Sequence, residues 1–126
     1  MELNQVTLPC IDYDASVAFY KALGLTQIVD SPPRYARFES PSGSTLSIHA
    51  VEGKVASADV TIYFEVDDVD EKVVELRNAG LEIAAEPADQ RWLWREAYLH
   101  DPAGNVICIF HAGENRRNPP WRLENE

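Results

Sequence analysis

Three ionisable side chains, Arg37, His49 and Glu96, occur among aromatic residues in segments whose alternating pattern predicts β-strands. Because side chains alternate along a strand, all three are predicted to share one face of a sheet. Titratable groups on such an apolar face need partners or a ligand. Glu96 and His49 have the chemistry of a metal-free general acid and base, and they are the candidate catalytic residues. Arg37 is suited to a carboxylate.

The predicted ligand-binding face extends over strands in both halves of the chain. Its members are Gln5, Thr7, Tyr35, Arg37, Ser47, His49, Thr61, Tyr63, Trp94, Glu96, Tyr98, Cys108 and Phe110. A curved sheet lined by aromatic rings and a few convergent polar groups is typical of a small-molecule pocket. The alternatives are a partly hydrated sheet face and a contact between subunits.

The opposite face of the same strands is apolar and is predicted to lie under helices. Its members are Val6, Leu8, Ala36, Phe38, Leu46, Ile48, Ile62, Phe64, Ala97, Leu99, Ile107 and Ile109. The sequence contains no Gly-rich phosphate loop, nucleophile elbow or zinc-binding helix motif. Ser47 and His49 lie on one predicted strand without an acid to complete a triad.

The composition of this 126-residue chain limits the classes of partner that it can bind. The formal net charge of -10 argues against nucleic acid, and it favours either attraction of cationic ligands or simple solubility. No apolar run approaches the ~20 residues that span a bilayer, and the first residues do not form a signal peptide. We therefore expect a cytoplasmic protein without a membrane partner. Cys10 and Cys108 are expected to be reduced.

The chain contains an internal duplication. Residues 98–111 hold two alternating runs around a turn at residues 101–105, and residues 38–49 repeat this plan at an offset of 61. Upstream segments match at an offset of 56, so the second copy has five extra residues, placed near residues 87–94. Each copy is predicted to be strand, helix, strand, strand, strand. The predicted fold is α+β, with two tandem βαβββ modules forming a curved mixed sheet around a cavity.

The boundaries of the elements follow from capping residues and turns. One of Asp12 and Asp14 caps the first helix, one of three acidic residues at 67–70 caps the second, and Gly24 ends the first in a left-handed conformation. Residues 81–85 and 92–100 are predicted strands separated by a loop. Residues 1–112 form a single domain, with module 1 at 1–56, module 2 at 57–112 and a link at 52–58. Residues 113–126 are predicted to be an extended tail anchored by Trp121.

Several motifs carry a family resemblance. They are the opening at residues 6–9 with Asp12 and Phe19, the acidic run at residues 64–70 and the turn at residues 101–105. Over residues 1 to about 112 the chain resembles the vicinal oxygen chelate superfamily. That superfamily includes glyoxalase I, bleomycin resistance proteins, fosfomycin resistance transferases and extradiol dioxygenases.

The resemblance implies where a metal site would lie. Family ligands, which are His, Gln or Glu, correspond to Gln5, Ser47, Thr61 and Cys108 here. Only Gln5 is a ligand of the family type, since hydroxyl groups are poor ligands and a thiol in an apolar strand is not readily ionised. We therefore expect no cofactor. A divalent metal at a displaced site of Gln5, His49 and Glu96 is the alternative.

The resemblance also implies a function. The expected protein is a small-molecule-binding protein of the glyoxalase/bleomycin resistance type, without the family's metal site, that binds an aromatic or charged ligand. Such proteins are homodimers whose modules complete each other's pockets. One alternative is a glyoxalase-like lyase or a dioxygenase-like enzyme, with an atypical metal site or metal-free acid/base catalysis. Another is a protein whose cupped face serves subunit assembly.

Overall fold

The computed structural model describes residues 1–53 and 60–123, so most of the predicted link at residues 52–58 lies outside the described residues. The elements are β1 (Gln5–Cys10), α1 (Tyr13–Leu23), β2 (Thr26–Ser31), β3 (Tyr35–Glu39), β4 (Thr45–Ala50), β5 (Thr61–Glu65), α2 (Val69–Asn78), β6 (Ala85–Asp89), β7 (Arg95–His100), β8 (Val106–His111) and α3 (Glu114–Arg117). None of the described helices is both long and apolar enough to cross a membrane.

The strands form two four-stranded sheets, in the orders β1-β4-β3-β2 and β5-β8-β7-β6. In each sheet the first strand of the module pairs in parallel with its last strand, and the other neighbours are antiparallel. Thr7 pairs with Ser47 in module 1, and Tyr63 pairs with Cys108 in module 2. The two pairs are equivalent, because Tyr63 follows Thr7 by 56 residues and Cys108 follows Ser47 by 61, the two offsets of the duplication. The predicted α+β class and the two tandem βαβββ modules are confirmed.

The two long helices begin at the predicted kind of cap. Asp12 and Asp68 each accept a backbone N–H from the third residue of the helix, from Ala15 and Glu71 respectively, at 3.0 Å. Gly24 ends α1 at a φ of 114°, a left-handed conformation that favours glycine.

One hydrophobic core is shared by both modules. It contains the predicted apolar face of each sheet, together with Tyr20 and Leu23 of α1 and Val73 and Leu76 of α2. Both helices therefore pack on the apolar faces, as predicted. The opposite face of each sheet, called its open face below, is turned away from this shared core, although Ser47, Glu96, Cys108 and Phe110 on it are buried.

A buried carboxylate joins the two modules. Asp101, in the turn between β7 and β8, is 4% exposed. Its Oδ1 accepts the backbone N–H groups of Ala103 and Asn105 at 3.0 and 2.8 Å, and its Oδ2 accepts from Asn105 Nδ2 at 2.8 Å. Tyr20 of α1 donates its hydroxyl to Oδ2 at 2.5 Å, and Asn105 Nδ2 also donates to the Pro9 carbonyl at 3.1 Å. This turn of module 2 is thereby fastened to α1 and β1 of module 1.

The sixth strand lies later than predicted. β6 spans Ala85–Asp89, whereas the sequence predicted a strand at residues 81–85 followed by a loop. β6 is an edge strand that pairs with β7, and its register is irregular between Ala85 and Ala88. Pro87 is tolerated because an edge strand or a bulge does not need every backbone N–H. The prediction of a loop was wrong, since proline disfavours only a central strand.

The seventh strand is shorter than predicted. β7 begins at Arg95, not at Trp92, because Trp92 and Leu93 belong to the turn that precedes it. Leu93 has a φ of 69°, which is incompatible with a strand.

The C-terminal segment is not uniformly extended, so this prediction was wrong for residues 114–117, which form α3. Glu65 accepts the backbone N–H groups of Ala112 and Gly113 at 2.8 and 2.9 Å, and Gly113 turns the chain at a φ of 57°. These contacts fix the start of α3. Trp121 is 57% exposed and does not act as the predicted anchor.

We expect Tyr20→Phe to lower the free energy of unfolding by about 1.5 to 3 kcal/mol, because it removes a donor from a buried charged group. Urea denaturation followed by circular dichroism measures this change. Tyr63→Phe is the matched control, since Tyr63 is 49% exposed, and it should stay within about 0.5 kcal/mol of the parent protein. Equal effects of the two variants would show that the Asp101 contact does not stabilise the fold.

Candidate ligand-binding faces

The predicted ligand-binding residues divide between the open faces of the two sheets. The module 1 face carries Gln5, Thr7, Tyr35, Arg37, Ser47 and His49. The module 2 face carries Thr61, Tyr63, Trp94, Glu96, Tyr98, Cys108 and Phe110. His49 therefore lies on a different sheet from Glu96, and the described residues contain no hydrogen bond between them. The acid/base role of Glu96 and His49 stays a prediction.

Three aromatic rings form a cluster on the module 2 face. Trp94 and Phe110 are stacked, with ring centroids 4.6 Å apart and an interplanar angle of 21°. Tyr63 meets both rings edge-on, at 5.8 and 5.6 Å. Trp94 Nε1 donates to the Asn115 carbonyl of α3 at 3.4 Å. The sequence does not predict this support, because its pattern favours an extended C-terminal segment.

Glu96 is buried beside this cluster, with 2% exposure. Its Oε2 accepts from Trp92 Nε1 at 2.9 Å, and its Oε1 accepts from the Tyr98 hydroxyl at 2.8 Å. Trp92 reaches Glu96 from the turn that contains Leu93, a contact that strand alternation does not predict. Within the part of the chain that the structure describes, Glu96 has no ion pair. Its carboxylate is thus held by neutral donors alone.

Cys108 is fully buried in the middle of the module 2 face. Burial and, after it, the nearby charge of Glu96 raise the pKa of the Cys108 thiol to about 12, although a hydrogen bond with Tyr98 opposes the shift. The same burial, with the hydrogen bond to Glu96, raises the pKa of Tyr98. Both groups are therefore protonated at neutral pH, and Cys108 is not a nucleophile there.

A hydrogen-bonded chain lies on the module 1 face. The Tyr35 hydroxyl shares a hydrogen bond of 2.6 Å with Ser47 Oγ, and Arg37 Nε donates to the same hydroxyl at 2.9 Å. Arg37 Cζ lies 5.4 Å from the centroid of the Tyr35 ring. The bond with Ser47, followed by the hydrogen bond and charge of Arg37, lowers the pKa of Tyr35 despite partial desolvation. Hydrogen-bond donors and a nearby cation stabilise the phenolate form, which explains why the pKa of Tyr35 is lowered.

The rest of the module 1 face is more exposed. Gln5 Oε1 accepts from Thr45 Oγ1 at 3.0 Å, and Thr7 and His49 are open to solvent. His100, at the end of β7, is exposed. His111 is exposed, with Nδ1 2.8 Å from the Val66 carbonyl oxygen.

The positions implied for metal ligands do not fit a divalent ion. Ser47 is buried and bonded to Tyr35, the Cys108 thiol is protonated, and Thr61 offers a neutral hydroxyl. In the alternative set, Gln5 pairs with Thr45 and His49 pairs with Pro9. These pairs are four residues apart along the β1–β4 ladder, roughly 13 Å at about 3.3 Å per residue. The third member, Glu96, is on the other sheet. Residues 1–53 and 60–123 contain no group of three His, Cys, Asp or Glu side chains able to hold a metal.

Comparison with known proteins identifies the family. Residues 2–109 match the Glyoxalase/Bleomycin resistance protein/Dioxygenase superfamily. The chain belongs to this superfamily. The predicted resemblance is thereby confirmed. The chain is also 30% identical over 126 residues to the uncharacterized protein YraH of Bacillus subtilis (strain 168), covering 87% of this chain and 98% of YraH.

Solved structures of superfamily members share the fold. A glyoxalase/bleomycin resistance protein/dioxygenase from Nocardioides superposes with a TM-score of 0.79 at 25% identity, covering 98% of this chain and 90% of the other. A bleomycin-binding protein in complex with bleomycin gives a TM-score of 0.71 at 23% identity, covering 88% of this chain and 98% of the other. The second likeness concerns the fold alone.

Proposed function

We propose that this superfamily member is a small-molecule-binding protein whose module 2 face takes a flat, cationic ligand. The observation that carries the proposal is the buried Glu96 carboxylate, which has only neutral donors and lies beside the aromatic cluster. A buried carboxylate gains most from a cation, because desolvation strengthens the attraction between opposite charges.

The aromatic cluster supplies the second part of this recognition. Cations over aromatic rings gain about 0.5 to 2 kcal/mol, and flat rings add stacking energy. Tyr63 remains half-exposed, so a ligand ring can meet it. The net charge of -10 attracts cations over a longer range. A solved structure of the same fold is that of a protein binding bleomycin, which supports a small molecule as the ligand.

A homodimer is part of the proposal. Both open faces are turned away from the core, so the module 1 face of one copy can close over the module 2 face of another. A cytoplasmic location is also part of it, and the two free, buried cysteines agree with a reducing compartment.

We expect N-methylquinolinium to bind in isothermal titration calorimetry, and neutral quinoline at pH 7.5 to bind at least about tenfold more weakly. Glu96→Gln should weaken binding of the cation by about tenfold or more, because it removes the buried charge and keeps the side-chain shape. Glu82→Gln is the matched control, with the same change in net charge at an exposed position, and its affinity should be unchanged.

If quinoline binds as tightly as N-methylquinolinium, or if Glu96→Gln binds like Glu82→Gln, Glu96 does not select a cation. Trp94→Leu then shows whether the aromatic cluster contributes at all.

We also propose that the protein works without a divalent metal, because the donor set does not fit one. Elemental analysis of protein purified without chelator should give well below one ion of zinc, nickel, manganese or iron per chain. A stoichiometric metal that disappears in Gln5→Ala would instead favour the lyase or dioxygenase alternative.

Sedimentation at micromolar concentration should show a species of twice the 14.2 kDa chain mass. A monomer at every concentration tested would remove the dimer from the proposal and leave two open faces that function separately.

A further inference from the structure

The duplication places opposite charges on the two open faces, and the charged residue and the tyrosine exchange places between the modules. Tyr35 and Glu96 correspond at the offset of 61 residues, and so do Arg37 and Tyr98. In each module the two side chains, two residues apart on one strand, are joined by a hydrogen bond. The pair includes a guanidinium in module 1 and a carboxylate in module 2. The same backbone geometry thus presents opposite charges.

Arg37 keeps most of its hydrogen-bonding capacity. A guanidinium has five N–H donors, and among the described contacts only the Nε donor of Arg37 is used, by the Tyr35 hydroxyl. Although the chain has 21 Asp and Glu residues, none of the described ones forms an ion pair with Arg37. Glu39, two residues along β3, is exposed at the end of the strand. The two Nη groups are therefore available to a ligand.

The surroundings hold Arg37 in position. Ser47 is 0% exposed and fixes the Tyr35 hydroxyl, which in turn accepts from Arg37 Nε. The guanidinium also lies over the Tyr35 ring. Because the rotamers of a long side chain are already restricted, binding an anion costs less ordering entropy than at a free surface arginine.

The geometry points to a carboxylate-binding site on the module 1 face, and we propose that Arg37 Nη1 and Nη2 bind a planar carboxylate in the bidentate manner. Two parallel hydrogen bonds match the spacing of carboxylate oxygens. A single permanent cation suits a monoanion better than a phosphate dianion, since His49 is exposed and Glu39 adds a negative charge nearby. The site stands on the contacts of module 1 and does not require the cation site of module 2.

The test uses benzoate as probe and benzamide as its neutral counterpart, followed by ¹H–¹⁵N NMR of the intact protein. Benzoate should shift the Arg37 Nε–H signal and the amides of β3 and β4, whereas benzamide should not. Arg37→Met should weaken benzoate binding by about tenfold or more, and Arg37→Lys should weaken it less, because charge remains but the fork is lost. Arg34→Met, at an exposed arginine of the same module, is the matched control and should bind normally.

A second readout follows from the chemistry of Tyr35, because the hydrogen bond with Ser47 and then the hydrogen bond and charge of Arg37 lower the pKa of its phenol. Bound benzoate should raise the pH midpoint of Tyr35 ionisation, followed by absorbance at 295 nm. The reason is that benzoate neutralises the Arg37 guanidinium and adds negative charge. Arg37→Met should raise the same midpoint without benzoate, and Tyr35→Phe should lack this transition.

The proposal fails if benzamide binds like benzoate, or if Arg37→Met leaves binding unchanged in a protein whose spectrum shows it folded. Phenyl phosphate binding far more tightly than benzoate would also overturn it, since the ligand class would then be a phosphate. Benzoate binding is measured in the absence of N-methylquinolinium, so that failure at the module 2 face is distinguished from failure at this one.

Discussion

The buried carboxylate of Asp101 is the constraint on which the arrangement of the two modules depends. A buried charge is tolerated only where donors satisfy it, and Asp101 finds them both in its own turn and in Tyr20, 81 positions earlier in the chain. Because one donor belongs to α1, the turn cannot be satisfied unless module 1 is in place. The direction in which each open face points is therefore coupled to a contact that lies on neither face.

The duplicated turn of module 1 lacks this interlock. Residues 40–44 keep the proline and glycine of the turn, but serine replaces the aspartate. Among the described side chains Ser40 bonds with Ser42 alone, at 3.2 Å. A cavity of about 760 Å³ lies beside this turn, also bordered by Lys72 and by the edge strands β1 and β5. The equivalent turns of the two modules therefore differ. The turn of module 2 is hydrogen-bonded to module 1, and the turn of module 1 borders a cavity.

The sequence predicts the parts of this molecule that depend on local periodicity. Strand alternation places Phe38, Leu99 and Ile107 in the core, and helix caps are predicted from aspartates before apolar runs. It does not predict that Trp92 reaches Glu96, because this contact needs Leu93 in a left-handed turn. It also does not predict that the candidate residues divide between two sheets, since alternation fixes a side chain's face but not how distant modules pack.

The divergence of the two faces explains how one fold can change its ligand without changing its strands. At the positions implied for metal ligands in the last strands, Ser47 shares a hydrogen bond with the Tyr35 hydroxyl, and Cys108 is paired with Tyr98 across the β7–β8 ladder. Each tyrosine is in turn joined to the charged residue of its face, Arg37 in module 1 and Glu96 in module 2. A neutral residue in the last strand thus supports a phenol, and the phenol orients a charge. Since the two charges are opposite, two strand positions in each module determine which charge its face presents.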